Sequence, residues 1–387
     1  MILAVAASLI FAGGFVIYLA VSRQLLPHDL RYLGMSADEL DRVADGRLVD
    51  FMVHDRVSWG ATLIANGVIF TWLAAFPLAA GRVWAWWVIT ATGAIGFISF
   101  ASYLGTGYLD TWHGLGTLCL LPVFWFGVVR ARPRPISWSI IWRPAWWGQR
   151  RAMAGRLLVV ASGGGLMMAG LTILTIGLTS TFVASDLRFI GLDRAVLDQI
   201  STRLVPLVAH DRVGFAGGVI VGGLLVAAVA WWGQGRAARQ TIAVAGTVAY
   251  GATLAVHVGV GYTDVLHLAP ALVGTVTMLA DVERDDGVAV GGDHVGTGID
   301  EVRMRLDNPL GSLCQRQRRP FGLSERRPDS QQLAPHPAVK HGDALAHRFP
   351  RPRCGDVSSR SASHQPTMPA SIVTVPTSAG ARWSTSV

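Results

Sequence analysis

The chain has 387 residues, 51% of them hydrophobic and only 15% charged. With a mean hydropathy of +0.41, this composition excludes a pair of ordinary soluble domains and places the chain in the membrane class. The net charge of +8 invites a nucleic-acid reading, but the arginines sit in loops between apolar runs and in the C-terminal stretch. Anionic lipid headgroups on the cytoplasmic side are therefore the expected acidic partner, and nucleic acid is not expected. Lys340 is the only lysine, a bias expected of a GC-rich bacterial genome. Cys119, Cys314 and Cys354 have no metal-ligand spacing and imply no disulfide framework. No phosphate loop or hydrolase elbow is present.

Ile2 to Val21 is about as long as a helix crossing a ~30 Å hydrocarbon core, and it lacks the basic start and small-residue cleavage site of a signal peptide. A repeat alignment sets Met1 against Leu158 and gives the second copy an anchoring Arg156 that the first lacks, so the true start is expected upstream. Residues 23–53 are polar with helical patches. Ser36 and Glu39 have capping-box spacing. Leu40, Val43, Leu48, Phe51 and Met52 suit one helix face, interrupted by Gly46. The matching stripe Leu197, Ile200, Leu204 and Leu207 follows Asp193 as N-cap, and the expected object is an amphipathic helix lying on the membrane surface. Further spans are expected at 57–80, 83–104 and 111–129, then at 157–183, 213–232, 241–260 and 265–280.

Three pieces recur in the same order. Asp29-Leu30-Arg31-Tyr32-Leu33-Gly34 matches Asp186-Leu187-Arg188-Phe189-Ile190-Gly191. His54-Asp55-Arg56-Val57 recurs as His210-Asp211-Arg212-Val213, and Gly107-Tyr108-x-Asp110-x-x-His113 as Gly261-Tyr262-x-Asp264-x-x-His267. Offsets of 157, 156 and 154 indicate a duplication with small indels. The expected fold is an all-α polytopic membrane protein of eight transmembrane helices. It is arranged as two four-helix repeats, residues 1–156 (with an Arg/Trp linker) and 157–283. An even number of spans per copy makes the repeats parallel, related by an axis along the membrane normal. Residues 284–387 hold ten of the 18 prolines from position 303 onward and no apolar period, so a disordered, low-complexity tail, or one translated out of frame, is expected there.

Residues 130–156 carry seven arginines and no acidic residue, which places that loop, and both termini, in the cytoplasm of a cell whose plasma membrane holds the protein. Trp84, Trp86, Trp87, Trp231 and Trp232 fall at the same boundary, and residues 136–147 read as an interfacial segment. The recurrent polar pieces then lie at the outer face.

Those pieces carry the candidate chemistry. Asp110 and His113 are three apart, as are Asp264 and His267, a spacing used by carboxylate–histidine metal sites in helical bundles. Facing them, His54 with Asp55 and His210 with Asp211 complete a candidate ligand set per copy; the second copy adds His257, aligned with Tyr103. A helix N-terminus disfavours protonated histidine, leaving the neutral, metal-binding form. Paired imidazoles, His54 with His113 or His210 with His267, also suit one haem per repeat. The leading expectation is a membrane protein binding a transition metal or haem at an outward-facing His/Asp cluster. The alternatives are a non-catalytic scaffold or partner subunit whose motifs only cap helices, and a solute or proton permease using Thr90, Thr92, Ser99 and Ser102. No reaction or substrate is legible.

Overall fold

The computed structural model describes residues 1–133, 144 and 150–286. The chain divides into a unit Met1–Arg318 and a unit Arg319–Val387, the second wholly outside the described residues. The expected tail and interfacial segment also fall outside them, apart from Pro144 and the last turn of the final helix.

Among the described residues the fold is all helical, without strands. The helices in order are α1 (Ile2–Val21), α2 (Pro27–Leu33), α3 (Ala37–Asp41), α4 (Arg47–Leu73), α5 (Val83–Ser99) and α6 (Thr111–Arg130). Then follow α7 (Arg150–Leu178), α8 (Ala184–Ile190), α9 (Arg194–Ile200), α10 (Leu204–Trp232), α11 (Gly235–Val260) and α12 (Val265–Asp286). Seven of these, α1, α4, α5, α6, α7, α10 and α11, are long and apolar enough to cross a membrane. The eighth expected span does form a helix, α12, but its apolar run, residues 265–280, is shorter than those of the other seven and meets a charged end. Outward faces are apolar: Phe11 on α1, Leu118 on α6, Val258 on α11 and Val276 on α12 are all exposed. Hydrocarbon solvates such faces and water does not.

The helices α4 and α10 lie at the centre, packed on each other. Beside α4 run α1 and α11; beside α10 run α7 and α5. Both central helices start in one apolar cluster (Leu48, Phe51 and Met52 with Leu204, Leu207 and Val208) and end in another (Ile69, Phe70 and Leu73 with Leu225, Ala228 and Val229). They therefore run parallel. The polar residues 54–56 and 210–212 form a layer between the two clusters.

Small residues set the close approaches. A Cβ on Gly60 would stand 2.6 Å from the Gly13 carbonyl of α1, and one on Gly163 of α7 would stand 2.6 Å from the Gly223 carbonyl of α10. Such contacts let backbones touch where no water-driven force pulls helices together. On α10, Gly214 and Gly217 leave room for Tyr103 and Ser99 beyond and within α5.

The segments ahead of α4 and α10 differ from a surface-lying helix. Gly34 and Gly191 end α2 and α8 in left-handed conformation, at φ 68° and 78°, which accounts for the recurrent final glycine. The Ser36–Glu39 capping box is formed, with both reciprocal bonds. Gly46, at φ 83°, breaks the stripe as its position suggested. Leu40, Val43, Leu48, Leu197, Leu204 and Leu207 nonetheless face inward, into one apolar cluster shared by both copies. Only Ile200 is exposed. Asp193 sits at the N-cap of α9 but makes no capping bond.

The cluster Trp84, Trp86 and Trp232 is packed inward, Trp86 donating to the Val128 carbonyl at 2.8 Å and Trp84 stacking on Trp232. Thr90, Thr92 and Ser99 bond back to carbonyls of their own helix.

Candidate metal centres

The recurrent His-Asp-Arg pieces do not open their helices. Arg47 starts α4 and Leu204 starts α10, so His54 and His210 lie about two turns in. The partial positive charge of a helix start fades within the first turn, so it acts on His113 and His267, not on His54 and His210. Asp110 caps α6, accepting from the Trp112 N–H at 2.9 Å, and Asp264 accepts from the His267 N–H at 3.0 Å.

The arginines explain much of the polar layer. Arg56 donates to Asp211 at 2.8 Å and to Asp29 at 3.2 Å; Arg212 donates to Asp55 at 3.3 Å and pairs with Asp186 at 2.8 Å. Each guanidinium thus joins an aspartate from its own copy to one from the other. Tyr108 donates to Asp29 and Tyr262 to Asp186, both at 2.7 Å. Burial first, and then these carboxylates, push both phenols far above their usual range, so they remain donors. Asp29 and Asp186, seen in the sequence only as repeat markers, are therefore buried anchors.

Two candidate ligand groups form, and each draws on residues from before and after position 156. His54 meets His257 and His267, with one ligand atom from each within 4.8 Å of the others. His210 meets Asp110 and His113 on the same terms. The expected pairings of His54 with His113 and of His210 with His267 are thereby replaced, because α4 packs on α11 of the other copy and α10 on α5. Asp211 is taken up by Arg56, and Asp264 faces Arg188 at 3.3 Å; neither joins a group. Asp55 stands behind His54, its carboxylate 3.2 Å from Nδ1 at an oblique angle.

In the three-histidine group the outer nitrogens are held. His257 Nδ1 donates to the Thr253 carbonyl at 2.7 Å, which leaves its Nε2 as a buried lone pair without a hydrogen-bond partner. The Tyr262 hydroxyl spends its proton on Asp186, so at 3.2 Å it accepts from His267 Nδ1 and frees Nε2 there too. A chain then runs His267–Tyr262–Asp186–Arg212–Asp55 behind the group and ends beside His54, whose Nδ1 makes no hydrogen bond to Asp55. Metal-bound histidines are held this way, by an acceptor on the far nitrogen. The rings are close: His54 to His257 is 4.2 Å between centroids, and His54 to His267 is 5.3 Å.

The second group is built differently. His210 Nδ1 donates to the Tyr108 carbonyl at 3.1 Å, and its Nε2 is 3.2 Å from His113 Nδ1. That nitrogen is also 2.9 Å from Asp110. Separations near 3 Å suit donors around one ion with bonds of roughly 2.0–2.2 Å. His28, missed in the sequence because it has no counterpart (Ser185 aligns with it), places Nε2 2.7 Å from Asp110. Burial raises the Asp110 carboxyl, but hydrogen bonds from His113 and the Trp112 N–H, with the charge of His28, hold it at about 2. Tyr103, at the position equivalent to His257, stacks on His210 at 4.1 Å.

Fold and site together give a helical protein with seven helices long and apolar enough to cross a membrane and two side-chain groups that could hold a metal ion. No family model matches the chain, nor does a curated protein or a solved structure.

Proposed function

We propose that this protein is a metal-binding protein of a bacterial plasma membrane, built as two parallel repeats that share two metal centres at their outer ends. The observation that carries this reading is His257 Nε2, a buried imidazole nitrogen with no partner, its ring fixed by the Thr253 carbonyl and two further imidazoles beside it. An unpaired buried acceptor costs about 1–3 kcal/mol, and a bound cation removes that cost. A metal ion suits the site better than haem, because the touching rings leave no slot for a porphyrin between them. Three imidazoles around one ion, with no fourth His, Cys, Asp or Glu donor among the described residues, leave a position open for a small ligand.

The repeat is supported by the parallel course of α4 and α10, by the matched glycine contacts and by the paired Arg–Asp–Tyr chains. In this reading α12 is the eighth span, shortened at its end. The arginine-rich loop between the copies faces the cytoplasm against anionic headgroups, with both termini on that side.

Protein purified in detergent and chelator-free buffer should carry bound transition metal and no Soret band. His257→Ala and His267→Ala should each remove most of the metal of their group. Metal-free wild-type protein, with a melting temperature indifferent to chelators, would instead support a scaffold held by the Arg56 and Arg212 ion pairs. Orientation is read by labelling intact cells with an impermeant maleimide: Ser201→Cys should react, and Arg82→Cys only after permeabilisation.

A further inference from the structure

We infer that the two groups have diverged to hold different ions: copper(I) on His54, His257 and His267, and a divalent ion of the iron(II) type on Asp110, His113 and His210. This rests on the metal-binding reading above. Two equivalent positions carry the divergence. Where the first group has His257 edge-on to His54, the second has Tyr103 stacked on His210, so one imidazole is replaced by a phenol. Where the second group has the buried Asp110 beside His113, the first has Asp264, which turns to Arg188 and the His267 backbone at the surface. One ligand set is therefore three neutral imidazoles, and the other two imidazoles and a carboxylate.

Charge separates the ligand sets themselves rather than their surroundings. Behind the three imidazoles, Asp55 and Asp186 face Arg212, a net charge of one negative. Around the second group, Asp110, Asp29 and Asp211 face Arg56 and also His28, whose Nε2 lies 2.7 Å from Asp110 and 3.4 Å from Asp29, so a charged His28 brings that balance to one negative as well. In a medium that solvates charge poorly, the ion that neutralises its ligands is favoured. The three imidazoles bring no charge to an ion, whereas Asp110 brings one negative charge to the other set, so the second set favours the ion of higher charge. Imidazole is a good copper ligand, and two histidines with one carboxylate and open positions are the iron(II) arrangement.

The test is metal content and copper valence of the full-length protein, purified without oxygen from cells given both metals. Wild type should hold copper(I) and a second, divalent metal in equal amounts. His257→Ala, or the milder His257→Gln, should lower copper at least tenfold and leave the other metal unchanged. Asp110→Ala or Asp110→Asn should do the reverse. The same metal in both groups, or a single metal reduced by both sets of variants, overturns the divergence while leaving the metal-binding reading intact. Wild-type protein holding no metal overturns that reading and this inference together.

Discussion

Tyr262 is the residue whose loss separates support from ligation. It touches the three-histidine group through its hydroxyl, accepting from His267 and donating to Asp186. Tyr262→Phe keeps the ring and removes both bonds. Metal affinity of that group should fall about 10–100-fold, the usual effect of losing a partner behind a ligand, with the second group unaffected. Titration of apoprotein with the metal reads this. Glu39 supplies a pH-dependent case away from the groups. Hydrogen bonds from the Ser36 N–H and hydroxyl depress its carboxyl below the usual range. A depressed carboxyl contributes stability above its unfolded value and loses it as pH falls through the lower, folded one. Amide exchange across α3 should therefore speed up as pH drops through the acid range, once corrected for intrinsic rates, and Glu39→Gln should blunt that dependence.

At the scale of the helix, neighbouring glycines make opposite predictions. Gly13 of α1 faces the Gly60 carbonyl and Ile64, whereas a side chain on Gly14 would meet nothing within 4 Å. Gly13→Ala should cost about 1–3 kcal/mol through overpacking, and Gly14→Ala should be neutral or slightly stabilising through helix propensity. Gly163 against Gly164 repeats the contrast on α7. Equal effects within either pair, measured by denaturation in detergent, would show that these contacts do not set the approach of α1 to α4 or of α7 to α10.

At the scale of the molecule, the two arginines tie α4 to α10. Arg212→Leu leaves Asp55 and Asp186 buried without their counter-charge, a loss of about 3–5 kcal/mol for a broken buried pair. Arg56→Leu should behave alike, stranding Asp29 and Asp211. Neither should alter the other arginine's pairs. Arg31→Leu, an exposed arginine whose bond among the described residues is to the Pro27 carbonyl of its own turn, should change stability by less than about 0.5 kcal/mol. Thermal unfolding in detergent ranks the three.

The sequence by itself determined the apolar helices long enough to cross a membrane and the residue types offered as candidate ligands, because long apolar runs and recurrent polar pieces are local properties. It also showed His257 as an addition, since only alignment of the copies is needed to see Tyr103 opposite it. The partners of each ligand were decided by tertiary packing. Within either copy, the spacing of Asp110 to His113 or of His54 to Asp55 says nothing about which helix comes to face it. That depended on glycines along α10 accepting Tyr103 and Ser99, and on α4 lying against α11. For the same reason, Asp55 and Asp211 were legible as charged residues beside histidines, but only the crossing of Arg56 and Arg212 made them ion-pair partners first.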